Sequence, residues 1–114
     1  QNIAAFSEAL VIGEKAGVSV SSLVEAISKS SGDSFALRNH GVKAVIPNSF
    51  PEGAFSVNYA KKDLLYAIDI ASENGSRADG AERILDLFEQ AISQGWGTHY
   101  HPVIKRLLEI EKKL

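Results

Sequence analysis

Apolar residues recur at intervals of three and four along almost the whole chain, and nowhere do they alternate over the length that a strand needs. That pattern restricts the chain to packed helices. With 114 residues, 45% of them hydrophobic and 23% charged, it has enough apolar material for one core and lies outside the range of disordered chains. A chain of this size buries roughly two-thirds of the surface its unfolded form exposes.

Six helices are predicted, an all-α domain spanning 1–114. The first runs from about Asn2 to Ala16, with Ile3, Phe6, Leu10 and Gly13 on one stripe and Gly17 placed to take the left-handed conformation that ends a helix. A short second helix, capped by Ser19 or Ser21, carries Leu23, Val24 and Ile27. Ser34 caps a third, whose apolar positions are Phe35, Leu37, Val42, Val45 and Ile46, before Pro47 breaks it. A loop over 47–56 leads to a fourth helix from about Ser56 to Glu73, with Leu64, Ala67, Ile68 and Ala71 facing inward. Asp79 with Glu82 three residues on has the form of a capping box, opening a fifth helix along Ile84, Leu87, Phe88 and Ile92. The sixth begins near Thr98 or at His101-Pro102, with the stripe Val103, Leu107, Ile110 and Leu114 and an i,i+4 pair of Glu109 and Lys113.

Several function classes are excluded at this level. Twelve basic and fourteen acidic residues are mixed along the chain, leaving a net charge of -2 and no basic field for nucleic acid or an anionic membrane. No apolar run approaches the ~20 residues of a membrane span. The absence of cysteine removes disulfides and thiolate metal sites and fits a reducing compartment, so a cytoplasmic location is expected. His99 and His101, flanking Tyr100, lack a third ligand at metal spacing and are read as helix-end structure. His40 is read as a surface or cleft-edge residue and Trp96 as a packing anchor or part of a subunit contact.

Two polar features remain. Ser30-Ser31-Gly32-Asp33-Ser34-Phe35 is a serine-glycine turn before a helix, which can present a hydroxyl and backbone amides to a carboxylate at the positive end of the helix dipole. Val57 to Leu65 carries Lys62, a compact charge on a flexible stem suited to ribose or phosphate oxygens. Each also has a plain reading: the serines as caps, and Lys62 as a solvated surface charge. Asp63 is expected to accept a structural hydrogen bond. Neither feature has a nucleophile, metal cluster or phosphate loop beside it, so the chain reads as one half of a site.

These segments resemble the β-hydroxyacid dehydrogenases of the 3-hydroxyisobutyrate dehydrogenase and tartronate semialdehyde reductase type, specifically their helical C-terminal domain, which is like that of 6-phosphogluconate dehydrogenase. Asn2 to Leu10 with Glu14-Lys15-Ala16-Gly17 is similar to the long interdomain helix and its end. Ser30 to Phe35 with Asn39 is similar to the active-site turn, Phe55 through Lys62-Asp63-Leu64 to the F-x(n)-K-D-L segment, and Gly95-Trp96-Gly97 to the G-x-G before the last helix. The resemblance implies that Lys62 contacts NAD or NADP and that Ser31 and Gly32 line the substrate side of the cleft.

It also implies an absence. The catalytic lysine, and an asparagine one turn later, would precede Gln1, and no G-x-G-x-x-G fingerprint of a Rossmann domain is present. No catalytic residue is therefore assigned within the chain, no cofactor is expected on it alone, and no metal is expected. A first residue other than Met, with a helical pattern already running at Ile3, fits a start inside a longer protein. The intact enzyme is expected to act on a small hydroxyacid and to be a homo-oligomer, with a dimer favoured. Arg77-Ala78-Asp79 stands where the family usually has a proline before the fifth helix, and Tyr100 where it usually has an acidic residue after G-x-G. The alternative from another class is a stand-alone helical dimerisation or interaction module without ligand, in which Lys62 is incidental.

Overall fold

The computed structural model describes residues 1–110. It contains six helical segments and no strand among the described residues: α1 (Asn2–Lys15), α2 (Val20–Ser28), α3 (Leu37–Val45), α4 (Val57–Glu73), α5 (Asp79–Ser93) and α6, a 3₁₀ turn over His101–Ile104 continuing as α-helix over Lys105–Leu108. Among the described residues no helix is long and apolar enough to cross a membrane. The all-α architecture expected from periodicity is the architecture observed.

Local signals set most boundaries. Gly17 takes φ +97°, and the Val18 amide donates to the Gly13 carbonyl at 3.0 Å, closing α1 as its sequence implied. Ser19, not Ser21, caps α2 by accepting from the Ser22 amide, and Ser56 caps α4 by accepting from Tyr59. Leu10, Leu37, Val57, Val103 and Ile104 are almost wholly buried at the centre, with Phe6, Ile84, Leu87, Phe88 and Leu107 around them. The apolar stripe of α1 is thus consumed within the chain.

Three elements differ from expectation. α3 is a π-helix whose wide turns hydrogen-bond i to i+5, as in the Ile46 amide to the Gly41 carbonyl at 2.8 Å. The changed period buries Leu37, Gly41, Ala44 and Val45 and turns Phe35, Val42 and Ile46 outward. α5 starts without a side-chain cap, because the helix begins at Asp79 itself and its N-cap is Ala78; Asp79, paired with Arg77, and Glu82 still place negative charge in the first turn. On α4 only Val57 is fully buried, with Leu64, Ile68 and Ala71 half-buried and Ala67 exposed. The Glu109–Lys113 pair and Leu114 involve positions outside the described residues; Glu109 instead accepts from Lys105 at 2.6 Å.

The loop over 47–56 lies along 97–101 through two isolated antiparallel bridges, Glu52 with His99 and Ser56 with Tyr100. These bridges fix the start of α4 against the start of α6. Trp96 is half-buried against the core, with the Arg106 guanidinium 5.8 Å from its ring centroid, consistent with the packing role expected of it.

Candidate functional site

The serine-glycine turn joins α2 to α3. Its geometry is built from its own side chains: the Ser30 hydroxyl donates to the Ile27 carbonyl at 2.8 Å and accepts from the Gly32 amide at 3.1 Å, while Ser34 accepts from the Leu37 amide at 3.0 Å and so caps α3. The Gly32 amide is therefore turned inward. Gly32 is also tight, since a Cβ there would lie 3.3 Å from Ile27 Cγ2. Ser31, exposed at the tip, makes no side-chain hydrogen bond among the described residues, so of the three serines it is the one with a hydroxyl to offer.

This turn forms one wall of an open cavity of about 520 Å³. The opposite wall is the first two turns of α1, from which Asn2, Ala5, Phe6 and Ala9 share one face. Ser31 and Gly32 thus lie in one cavity, and Asn2 adds an amide that can donate and accept. Sequence reasoning passed over Asn2. Its signal was available as the only polar residue at position 2, 5, 6 or 9 of an otherwise apolar face.

Lys62 lies elsewhere. It is exposed on the second turn of α4, its Nζ 6.0 Å from the Tyr66 ring centroid, and no carboxylate pairs with it among the described residues. Lys61 beside it reaches across to Glu89 on α5, 3.8 Å away. Lys62 does not line the cavity of Ser31 and Gly32. The expected structural hydrogen bond of Asp63 is not formed among the described residues; the carboxylate lines a shallow groove that also contains Gln1 and His101.

A third grouping was not foreseen. His40 on α3 meets Tyr100 and His101, its Nδ1 hydrogen-bonded to the Tyr100 hydroxyl and its ring centroid 5.0 Å from that of His101; Phe55 closes over His101 edge-on at 5.5 Å. Burial, helped by the nearby His40, pushes His101 down to about 4. His40 is lowered by burial and by Lys43, and burial raises Tyr100. His99 does not join them: its Nδ1 is buried without a hydrogen bond, 3.8 Å from Glu52, whose oxygen accepts instead from Thr98 at 2.7 Å. Among the described residues no three His, Asp or Glu side chains converge as metal ligands.

Beneath the last helix, Lys105 is buried and bonded to Glu14 at 3.0 Å and to Glu109 at 2.6 Å. Burial works to lower its pKa, but the hydrogen bonds it donates to Glu109 and Glu14 outweigh it and the pKa is raised. This triad ties α6 to α1 and is structural.

Comparison with known proteins adds the context. Residues 1–108 match the family model described as the NAD-binding region of NADP-dependent 3-hydroxyisobutyrate dehydrogenase. Over 96 residues the chain is 31% identical to 2-(hydroxymethyl)glutarate dehydrogenase of Eubacterium barkeri, which covers 84% of this chain and 32% of that protein. The fold matches that of 3-hydroxyisobutyrate dehydrogenase from Salmonella typhimurium with a TM-score of 0.84 at 22% identity, over 92% of this chain and 36% of the other. The chain spans about a third of the length of each relative.

Proposed function

The chain belongs to the family of the NAD-binding region of NADP-dependent 3-hydroxyisobutyrate dehydrogenase, and from that premise we propose that it is the C-terminal helical domain of an NAD(P)-dependent β-hydroxyacid dehydrogenase. In this reading the domain contributes one wall of the substrate and cofactor cleft and part of a homodimeric contact. It does not catalyse alone, and the proton-transferring lysine and the dinucleotide fold belong to sequence outside these 114 residues. The natural substrates are small hydroxyacids, a class to which the 2-(hydroxymethyl)glutarate of the Eubacterium barkeri relative also belongs.

The observation that supports the reading most is the cavity between the Ser30–Ser34 turn and the start of α1, where the Ser31 hydroxyl and the Asn2 amide face a space large enough for a small acid. Both groups serve to bind and orient a hydroxyacid rather than to move its proton. Lys62 fits the cofactor role, since an exposed ammonium without a carboxylate partner among the described residues is available to a phosphate or ribose oxygen. A bound nicotinamide would supply the hydride acceptor. The test is turnover by the intact protein of a panel of short hydroxyacids with NAD and NADP, followed by nicotinamide absorbance. Activity that falls sharply in Ser31→Ala and Asn2→Ala is expected; no oxidation of any hydroxyacid with either cofactor would overturn the reading.

A further inference from the structure

The cavity beside the serine-glycine turn poses an electrostatic problem. Its lining contains one charged side chain, the Asp33 carboxylate, and no lysine, arginine or histidine among the described residues. An anionic substrate would be repelled there unless the charge is compensated. Arg38, from the first turn of α3, compensates it: its Nε lies 3.0 and 3.2 Å from the two Asp33 oxygens.

The way this pair is made is informative. A guanidinium optimised for a structural ion pair presents two parallel N–H groups to the two oxygens of a carboxylate. Here the single Nε–H serves both oxygens, and the terminal Nη groups have no acceptor among the described residues. The Arg38 side chain is 54% exposed, so those groups are open to a ligand while the guanidinium is pinned to Asp33, which lines the cavity. A fork held by its side edge and open at its end matches the geometry of a second carboxylate.

We propose, resting on the hydroxyacid reading above, that Arg38, oriented by Asp33, is a specificity residue that receives the distal carboxylate of a dicarboxylic hydroxyacid whose other end lies against Ser31 and Asn2. Asp33 is then a positioning residue, and the substrate class narrows from hydroxyacids in general to short dicarboxylic ones.

Calorimetry on the intact protein with glutarate and butyrate as probes, alongside kinetics with a dicarboxylic and a monocarboxylic hydroxyacid, tests this. The wild type should bind glutarate roughly tenfold or more tightly than butyrate, the advantage of a charge-assisted pair. Arg38→Gln should abolish that ratio, Asp33→Asn should reduce it, and Arg38→Lys should restore part of it, without change in melting temperature. Equal affinities in the wild type, or a preference that survives Arg38→Gln, would overturn the assignment. A wild type that keeps the glutarate preference lost in Arg38→Gln, yet oxidises no hydroxyacid, upholds the receptor and refutes the dehydrogenase reading instead.

Discussion

The Gly97 carbonyl accepts a hydrogen bond from the Asn58 amide at 3.0 Å, and a Cβ on Gly97 would stand 2.9 Å from the Asn58 side-chain oxygen. With Val57 donating to the His99 carbonyl at 3.0 Å and Tyr59 to Ser56 Oγ at 3.3 Å, the amides opening α4 are already satisfied. The start of this helix is therefore closed to a phosphate, and Lys62 is what α4 has to offer an anion. Gly97→Ala should cost less than about 1 kcal/mol, because the atom in the way is the far end of an exposed side chain that can move. Adding Asn58→Ala should remove that cost in urea denaturation; a loss above about 3 kcal/mol in the single variant would mean that the Asn58 side chain is held fast.

Lys62→Ala in the intact protein is expected to raise the Michaelis constant for the dinucleotide roughly tenfold or more, the effect of one lost charge-assisted bond. Its exposure and its distance from the core predict an unchanged melting temperature. Unaltered kinetics together with a lowered melting temperature would make the residue structural.

The outline of the fold was legible because the features that set it are local. Gly17, Ser19, Ser34 and Ser56 act within a few residues of themselves, and the stripes of α1 and α5 bury the residues that periodicity selects. The period of α3 was not legible: an α-helical spacing was assumed, and only packing of Leu37, Gly41 and Ala44 against the core reveals the wider turn. The capping box at Asp79 failed because the helix starts one residue earlier, with Ala78 at the cap position and Asp79 already helical. Of the candidate site, the turn carrying Ser31 and Gly32 was legible because its own side chains build it. Their partner Asn2 and the His40–Tyr100 pair were not, since they meet across tens of residues and no local pattern encodes that distance.

Self-association of this chain is expected to use an exposed apolar face of α4 and not the stripe of α1. Phe6 and Leu10 are buried within the chain, whereas Tyr59, Tyr66 and Ile70 stand 62, 56 and 60% exposed along α4. Sedimentation equilibrium should show mass above the 12.3 kDa monomer at micromolar concentration, and Tyr66→Glu should reduce it. A monomer that persists as concentration rises would refute self-association of this chain.

Lys105→Met keeps the aliphatic stem but leaves Glu14 and Glu109 facing each other without a cation, so it should destabilise by about 2 kcal/mol, less than a fully buried pair because both carboxylates are half-exposed. A raised pKa means that the lysine's contribution is complete below its ordinary value and is lost only as pH climbs through the higher folded one. Wild-type and Lys105→Met stabilities should differ by the same amount from neutral pH to about pH 10 and converge above it. A difference that disappears already near neutrality would place the stabilisation in another group.

The histidine cluster predicts the opposite pH dependence. His101 is held neutral, its pKa lowered from 6.5 to about 4 chiefly by burial and by His40, and His40 is lowered too by burial and by Lys43; the Asp63 carboxylate lines the same groove as His101 but does not reverse this. Below pH 6.5 the unfolded chain therefore binds protons that the folded one refuses. Stability should be full above that pH and fall as pH drops toward about 4, by roughly 2 kcal/mol once partial exposure is allowed for. His101→Phe retains the edge-on packing against Phe55 and removes the titrating group, so its denaturation midpoint should change less between about pH 7 and about pH 4.5 than that of the wild type. Equal acid sensitivity in the two proteins would show that carboxylates, not this cluster, set the acid limit of the fold.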